Sequence, residues 1–189
     1  MTSINVRLSD WQDGWLNGAK QMPSPNYNAR PEASKVNLLV IHNISLPPGQ
    51  FGTPYIEQFF QNDLSWDKHP YFKTIQGLEV SAHFLIKQDG ELVQFVSCND
   101  RAWHAGASSF CGEENCNDFS IGVELEGTDS SLYSEAQYLG LVAITQQIQA
   151  KFPDIITSRI KGHSDIAPGR KTDPGASFDW PRYLTALNG

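Results

Sequence analysis

Residues 36–41 are apolar at nearly every position, ending in Leu38-Leu39-Val40-Ile41. That run predicts a strand covered on both faces, since a half-exposed strand would alternate. Residues 81–87 and 91–96 flank Asp89-Gly90, which predicts a hairpin with a tight turn. Residues 119–126 do alternate: Ile121, Val123 and Leu125 fall on one side, Gly122, Glu124 and Glu126 on the other. From 134 to 152 the period changes to that of a helix. Ser134 with Gln137 forms a capping box, and Tyr138, Leu141, Val142, Thr145, Ile148 and Phe152 make one mostly apolar stripe. Residues 55–60 predict a shorter helix, and another follows Asp179. Residues 60–80 and 100–118 have no period and read as the walls of a cleft. Strands interspersed with helices predict an α/β (α+β) fold, a central mixed sheet flanked by helices. With no repeat or Gly/Ser linker, residues 1–189 read as a single domain.

Composition narrows the partners. A chain of 189 residues with 40% apolar content can bury a real core. Its net charge of -7 argues against nucleic acid, which needs clustered Lys and Arg. No apolar window is long enough for a membrane span. Residues 1–16 mix apolar positions with Arg7, Asp10 and Asp13, unlike a secretion signal; the expected compartment is the cytosol. Cys98, Cys111 and Cys116 form no CxxC pair and are odd in number, so reduced thiols are expected. A metal cluster of His104, Cys111 and Cys116 is a weaker alternative, because its spacing is irregular.

Residues 162–175 carry the strongest chemical signal. Two prolines and three glycines exclude a long helix or a central strand there, leaving a shaped loop that presents His163, Lys171 and Asp173. His42 ends the apolar run upstream. Two histidines and one aspartate make three zinc ligands with a fourth position open, the pattern of a catalytic rather than a structural site. Glu124 or Glu126 could move a proton, and Glu124 is favoured because it lies deeper in its run, where burial raises a carboxyl pKa. Lys171 could hold an oxyanion. Arg170 is expected to face outward or brace a loop. Trp103 and His104 have a composition suited to gripping a sugar or peptide. His83 could face the same cleft or pack structurally, and His69 is expected to be structural.

At these residues the chain resembles the zinc-dependent N-acetylmuramoyl-L-alanine amidases related to peptidoglycan-recognition proteins and phage lysozyme-type amidases. Within them it resembles the AmpD-type enzymes of anhydro-muropeptides. The strings that carry the resemblance include Val40-Ile41-His42-Asn43, Ser81-Ala82-His83, Arg101-Ala102-Trp103-His104-Ala105-Gly106, Ser120-Ile121-Gly122-Val123-Glu124 and the segment 163–175. The resemblance implies a peptidoglycan-recognition-protein/amidase-like fold, Zn2+ held by His42, His163 and Asp173, Glu124 as proton acceptor and donor, and Lys171 as oxyanion stabiliser. It places Asn43, Trp103 and His104 along the substrate groove. Distant relatives often carry tyrosine at the position of Ala82 and cysteine at that of Asp173; the first departure fits a mechanism resting on Glu124 instead of a phenol, and the second keeps a ligand but a harder one. The implied substrate is a small soluble muropeptide, cleaved by a cytosolic monomer in peptidoglycan recycling, with a consequent influence on beta-lactamase regulation. A lytic amidase acting on intact wall and a non-catalytic muropeptide-binding module are the alternatives.

Overall fold

The computed structural model describes residues 11–189. Of the opening segment read above as unlike a secretion signal, residues 1–10 lie outside the described residues. Six strands build the main sheet: β1 (Lys20–Gln21), β2 (Leu38–Ile44), β3 (Phe84–Ile86), β4 (Leu92–Gln94), β5 (Ser120–Glu126) and β6 (Ile160–Gly162). Their order across the sheet is β6-β2-β5-β3-β4-β1. The β3–β4 hairpin is antiparallel; the β6–β2, β2–β5 and β5–β3 pairs are parallel, as is the β1–β4 pair. The mixed sheet expected from the sequence is present.

The central pair accounts for where β2 ends. Seven consecutive residues of β2 register with seven of β5, from Leu38 opposite Ser120 to Ile44 opposite Glu126. The pairing with β6 stops at Ile41, but the β5 ladder goes on satisfying backbone groups through Ile44, so β2 runs on through His42 and Asn43. The hairpin turn also differs from a two-residue turn. Lys87 donates to the carbonyl of Glu91 and Gly90 to that of Lys87, at 3.0 and 2.9 Å, closing a three-residue loop in which Gly90 has φ of 89°. Only glycine takes that left-handed conformation without strain.

Both faces of the sheet are covered, and β5 is buried at every position. On one face Leu39, Ile41, Phe84, Ile86, Ile121, Val123 and Leu125 pack beneath α2 (Glu135–Lys151) and α4 (Trp180–Asn188). On the other, Leu85 and Val93 pack with Ile56, Phe59 and Phe60 of α1 (Tyr55–Phe60). Beside them Leu38 and Val40 pack with Ala105 and with Ile166 of α3 (His163–Ile166). His42 and Glu124 follow the parity of Leu38, Val40 and Leu85, so they stand on this second face.

Helix α2 starts as its sequence requires. Ser134 Oγ accepts from the Gln137 backbone and Gln137 Oε1 from the Ser134 backbone, at 3.1 and 3.0 Å. The same Gln137 is buried, because its amide donates to the carbonyls of Ile86 and Glu126 at 3.3 and 2.9 Å. Unpaired, that amide would cost about 1–3 kcal/mol; paired, it ties the helix to the ends of two strands. Ile144 joins the buried stripe, which the sequence pattern left out, while Val142 and Phe152 sit at its margin. Replacing Ser134 with Ala removes the cap and the bond from its hydroxyl to Gln88. Chemical denaturation should then show a loss of about 1 kcal/mol; an unchanged midpoint would contradict this account of the helix start.

Candidate functional site

Parallel strands bring their carboxyl ends to one edge, the usual place for a site in such a sheet. His42 lies directly opposite Glu124 in the β2–β5 register. Gly162 of β6 pairs with Ile41, so His163, the next residue, falls beside His42. Asp173 returns on the following loop, where its backbone carbonyl accepts from Ser164 at 3.0 Å.

The side chains meet in a tight triangle. His42 Nδ1, His163 Nδ1 and Asp173 Oδ2 are each 3.0 Å from the other two. Among the described residues this is the cluster whose donor atoms come close enough for one metal ion. A tetrahedral zinc with bonds of about 2.0–2.1 Å needs ligand separations of about 3.3 Å, within reach of small adjustments. The proton positions fit as well. His163 Nε2 lies 2.9 Å from the Ala105 carbonyl. A carbonyl only accepts, so that nitrogen carries the proton and Nδ1 turns a lone pair inward. His42 Nε2 is 2.9 Å from His104 Nδ1, and donating there frees its own Nδ1 in the same way. Two imidazole lone pairs and a carboxylate then face one point, a donor set suited to a divalent cation such as zinc.

Burial sets the charges. It lowers the His42 pKa to about 4 and so keeps the ring neutral, as a ligand must be. Burial pushes the Asp173 carboxyl up, but the neighbouring His163 and His42 rings outweigh that and hold it below its ordinary range. Glu124 goes the other way. Burial, reinforced by the Asp173 charge and opposed by Lys171, raises it well above an ordinary carboxyl. Its Oε2 is buried with no hydrogen-bond partner, so one oxygen is free to hold a proton.

His42, Glu124, His163, Lys171 and Asp173 line one cleft of about 610 Å³. Its apolar wall includes Tyr71, Ile75, Leu78 and Val80, supplied by the 60–80 segment as expected, though that segment contains two 3₁₀ turns, Trp66–Lys68 and Pro70–Ile75. The other expected wall, 100–118, contributes only His104 to the lining; the polar side comes instead from Thr128, Asp129, Ser130 and Thr172.

Some residues take different places from those the sequence suggested, and others take the places expected. Glu126 is the deeper glutamate, 0% exposed against 8% for Glu124, because its carboxylate accepts from the backbones of Gly52 and Gln88 at 2.7 and 3.1 Å. Depth was therefore the wrong reason for preferring Glu124; a place on the cleft lining with one oxygen unpartnered is the better one. Trp103 is not among the cleft-lining residues, and its indole donates to Asn28 at 2.7 Å. His104 has both ring nitrogens engaged, by His42 and, at 3.1 Å, by Ser120 Oγ, leaving neither for substrate. Asn43 lines the cleft while donating to Asp129 at 2.8 Å. His83 is buried, accepting from Gly122 at 3.0 Å and facing the Asp100 carbonyl at 3.1 Å. His69 accepts from Tyr71 at 3.2 Å. Arg170 braces a loop, donating to Ala107 and Ala105. Cys98, Cys111 and Cys116 are all free thiols, and no metal cluster forms around them among the described residues. Asp129 was missed. It joins Asn43 to Thr172, and nothing in its local sequence marks a bridge between residues 43 and 172.

This arrangement has close parallels. Residues 32–176 match the family described as N-acetylmuramoyl-L-alanine amidase, and the chain belongs to that family. Within it the chain resembles AmpD. It is 55% identical over 177 residues to the 1,6-anhydro-N-acetylmuramyl-L-alanine amidase AmpD of Salmonella typhimurium (strain SL1344), a match spanning 93% of this chain and 94% of that protein. The crystal structure of a selenomethionine derivative of AmpD has a TM-score of 0.92 at 51% identity, over 95% of this chain and 99% of the other. The Escherichia coli amidase AmiD was solved with the substrate anhydro-N-acetylmuramic acid-L-Ala-D-gamma-Glu-L-Lys. It has a TM-score of 0.59 at 27% identity, over 83% of this chain and 60% of that one.

The buried rings predict a pH dependence of stability. Burial lowers His42 to about 4 and His83 to about 3, and His104 moves in the same direction. Below the ordinary value of 6.5 the unfolded chain protonates these rings and the folded one does not, so stability is lost as pH falls. Glu124, with its raised pKa, works in the opposite sense. Three rings outnumber one carboxyl, so metal-free protein should lose stability steadily between pH 7 and pH 5. Denaturation midpoints at pH 7, 6 and 5 measure it; a flat profile would contradict the burial of neutral histidines.

Proposed function

We propose that residues 1–189 form a single zinc-dependent amidase domain, which hydrolyses the amide between the lactyl group of 1,6-anhydro-N-acetylmuramic acid and the L-Ala of the stem peptide. The observation that carries this reading is the 3.0 Å triangle of His42, His163 and Asp173 beside an unpartnered Glu124 oxygen in one cleft. His42 Nδ1, His163 Nδ1 and Asp173 Oδ2 would hold the ion. Zinc there would supply Lewis acidity to an amide carbonyl and to water. Glu124 takes the proton of the attacking water and hands it to the departing amine, a task suited to a carboxyl whose raised pKa lies nearer neutrality. Lys171, on the cleft wall, brings a positive charge to the oxygen that becomes anionic. Asp129 holds Asn43 and the Thr172 loop together, which fixes Lys171 relative to the end of β2.

The substrate choice draws on the relatives' names and on the shape of the cleft. The cleft combines apolar Tyr71, Ile75 and Leu78 with polar Thr128 and Asp129, which suits a compact bicyclic sugar joined to a charged peptide. No helix among the described residues is long and apolar enough to cross a membrane. We place the enzyme in the cytosol as a monomer, acting on soluble muropeptides in peptidoglycan recycling, and through their level on beta-lactamase regulation.

Substitution separates the roles. Glu124→Gln should retain zinc and fold while losing roughly two to four decades of kcat. Lys171→Ala should lose roughly two to three decades, also with zinc retained. Glu126→Ala, which removes a buried strap, should lower the denaturation midpoint and leave kcat much closer to that of the unaltered protein. Equal kcat losses at both glutamates would show that Glu124 has no special role.

The substrate reading is tested by assaying anhydro-muropeptide, ordinary muropeptide of the same stem and intact sacculi side by side, with and without chelator. The expected kcat/KM ratio of the first to the second is at least roughly a hundredfold, abolished by chelation. Comparable rates on all three would favour a lytic amidase instead.

A further inference from the structure

His104 stands under the metal triangle with its ring at 84° to that of His42 and 5.0 Å away, centre to centre. Its Nδ1 is 2.9 Å from His42 Nε2 and its Nε2 is 3.1 Å from Ser120 Oγ. Its neighbour Ala105 presents the carbonyl that takes the proton of His163 Nε2. The two residues are held by one side chain: Asn117 Oδ1 accepts from the backbone N–H of His104 at 3.1 Å and of Ala105 at 2.8 Å. Arg170 donates to the same Ala105 carbonyl. A dipeptide pinned at both amides therefore contacts the outer nitrogen of each histidine ligand.

The strand beneath is shaped to admit it. A Cβ on Gly122 would lie 2.6 Å from Cγ and Nδ1 of the His104 ring, closer than side chains tolerate. Glycine at that position leaves room for the imidazole to reach His42.

The chain from Ser120 to Asp173 can carry its protons in two orders. In one, Ser120 donates to His104, His104 to His42, and His42 Nδ1 to Asp173; that order places a proton where a ligand lone pair is needed. In the other, His42 donates from Nε2 to His104, which donates from Nε2 to Ser120, and His42 Nδ1 faces the centre bare. Only the second order makes His42 a ligand.

We infer that His104 is a positioning residue: as acceptor for His42 Nε2–H it fixes the proton position and ring orientation that let His42 bind the metal, while Ala105 does the same for His163. This inference rests on the zinc reading above. Outer partners of ligating histidines typically govern metal affinity by about 10–100-fold, and that is the effect expected here.

The test measures zinc affinity by competition with a chromophoric chelator, alongside ¹⁵N shifts of the His42 ring in metal-free and zinc-loaded protein. His104→Leu removes the acceptor and should weaken zinc binding by about 10–100-fold. His104→Asn places an amide oxygen near the position of Nδ1 and should recover most of that loss, with the zinc-loaded His42 ring again protonated at Nε2. Gly122→Ala leaves His104 chemically intact but displaces it, and should weaken zinc as His104→Leu does. Should His104→Leu fail to fold, Ser120→Ala takes its place, with a smaller loss in the same direction. Unchanged affinity in the folded variants, or an Asn variant as weak as the Leu variant, overturns the inference. Absence of zinc binding by the unaltered protein sinks the zinc reading instead, so the two failures are distinguishable.

Discussion

The seven-residue parallel register between β2 and β5 is the constraint on which the site depends. It sets His42 against Glu124, and the shorter β6–β2 pairing sets the start of α3 beside them. Side-chain direction in a strand has a period of two, so a slip of one residue would turn His42 into the α2 face and bring Ile41 into the cleft. Ile121, Val123 and Leu125, packed under α2 and α4 on the opposite face, make that slip costly, because each fully buried aliphatic side chain stabilises by about 1.5–3 kcal/mol. The core on one face thus holds the register that aligns the chemistry on the other.

The site's electrostatics follow from the same burial. Close-packed walls remove water from His42, His83 and His104 and keep them neutral. They also raise Glu124, which sits near a second carboxylate, Asp173. A ligand histidine needs an available lone pair and a proton shuttle needs a pKa nearer neutrality, so one environment serves both. Arg30, half-buried, donates to the carbonyls of Asn117, Asp118 and Ser120 at 2.9–3.1 Å. It anchors the segment just before β5 and, with it, the Asn117 that pins His104 and Ala105.

Much of this was legible in the sequence, for identifiable reasons. Strands and helices with a clear period, such as β5 and α2, were found, and the Ser134–Gln137 cap was read directly. The composition of 162–175 exposed a shaped loop with metal-ligand chemistry. What escaped was set by contacts distant in the chain. Glu126 is buried because the backbones of Gly52 and Gln88 reach it. His104 belongs to the metal centre because Gly122, on another strand, leaves it space. Trp103 turns to Asn28, far earlier in the chain. No local pattern announces such pairings. The end of β2 was misplaced for a related reason, since polar His42 and Asn43 stay in the ladder through their partners in β5.

Zinc K-edge X-ray absorption on the purified protein reads the ligand atoms themselves. One zinc site with two imidazole nitrogens and oxygen ligands at about 2.0–2.2 Å and no sulfur is expected. A sulfur shell at about 2.3 Å, pointing to the free thiols of Cys111 or Cys116, would contradict it.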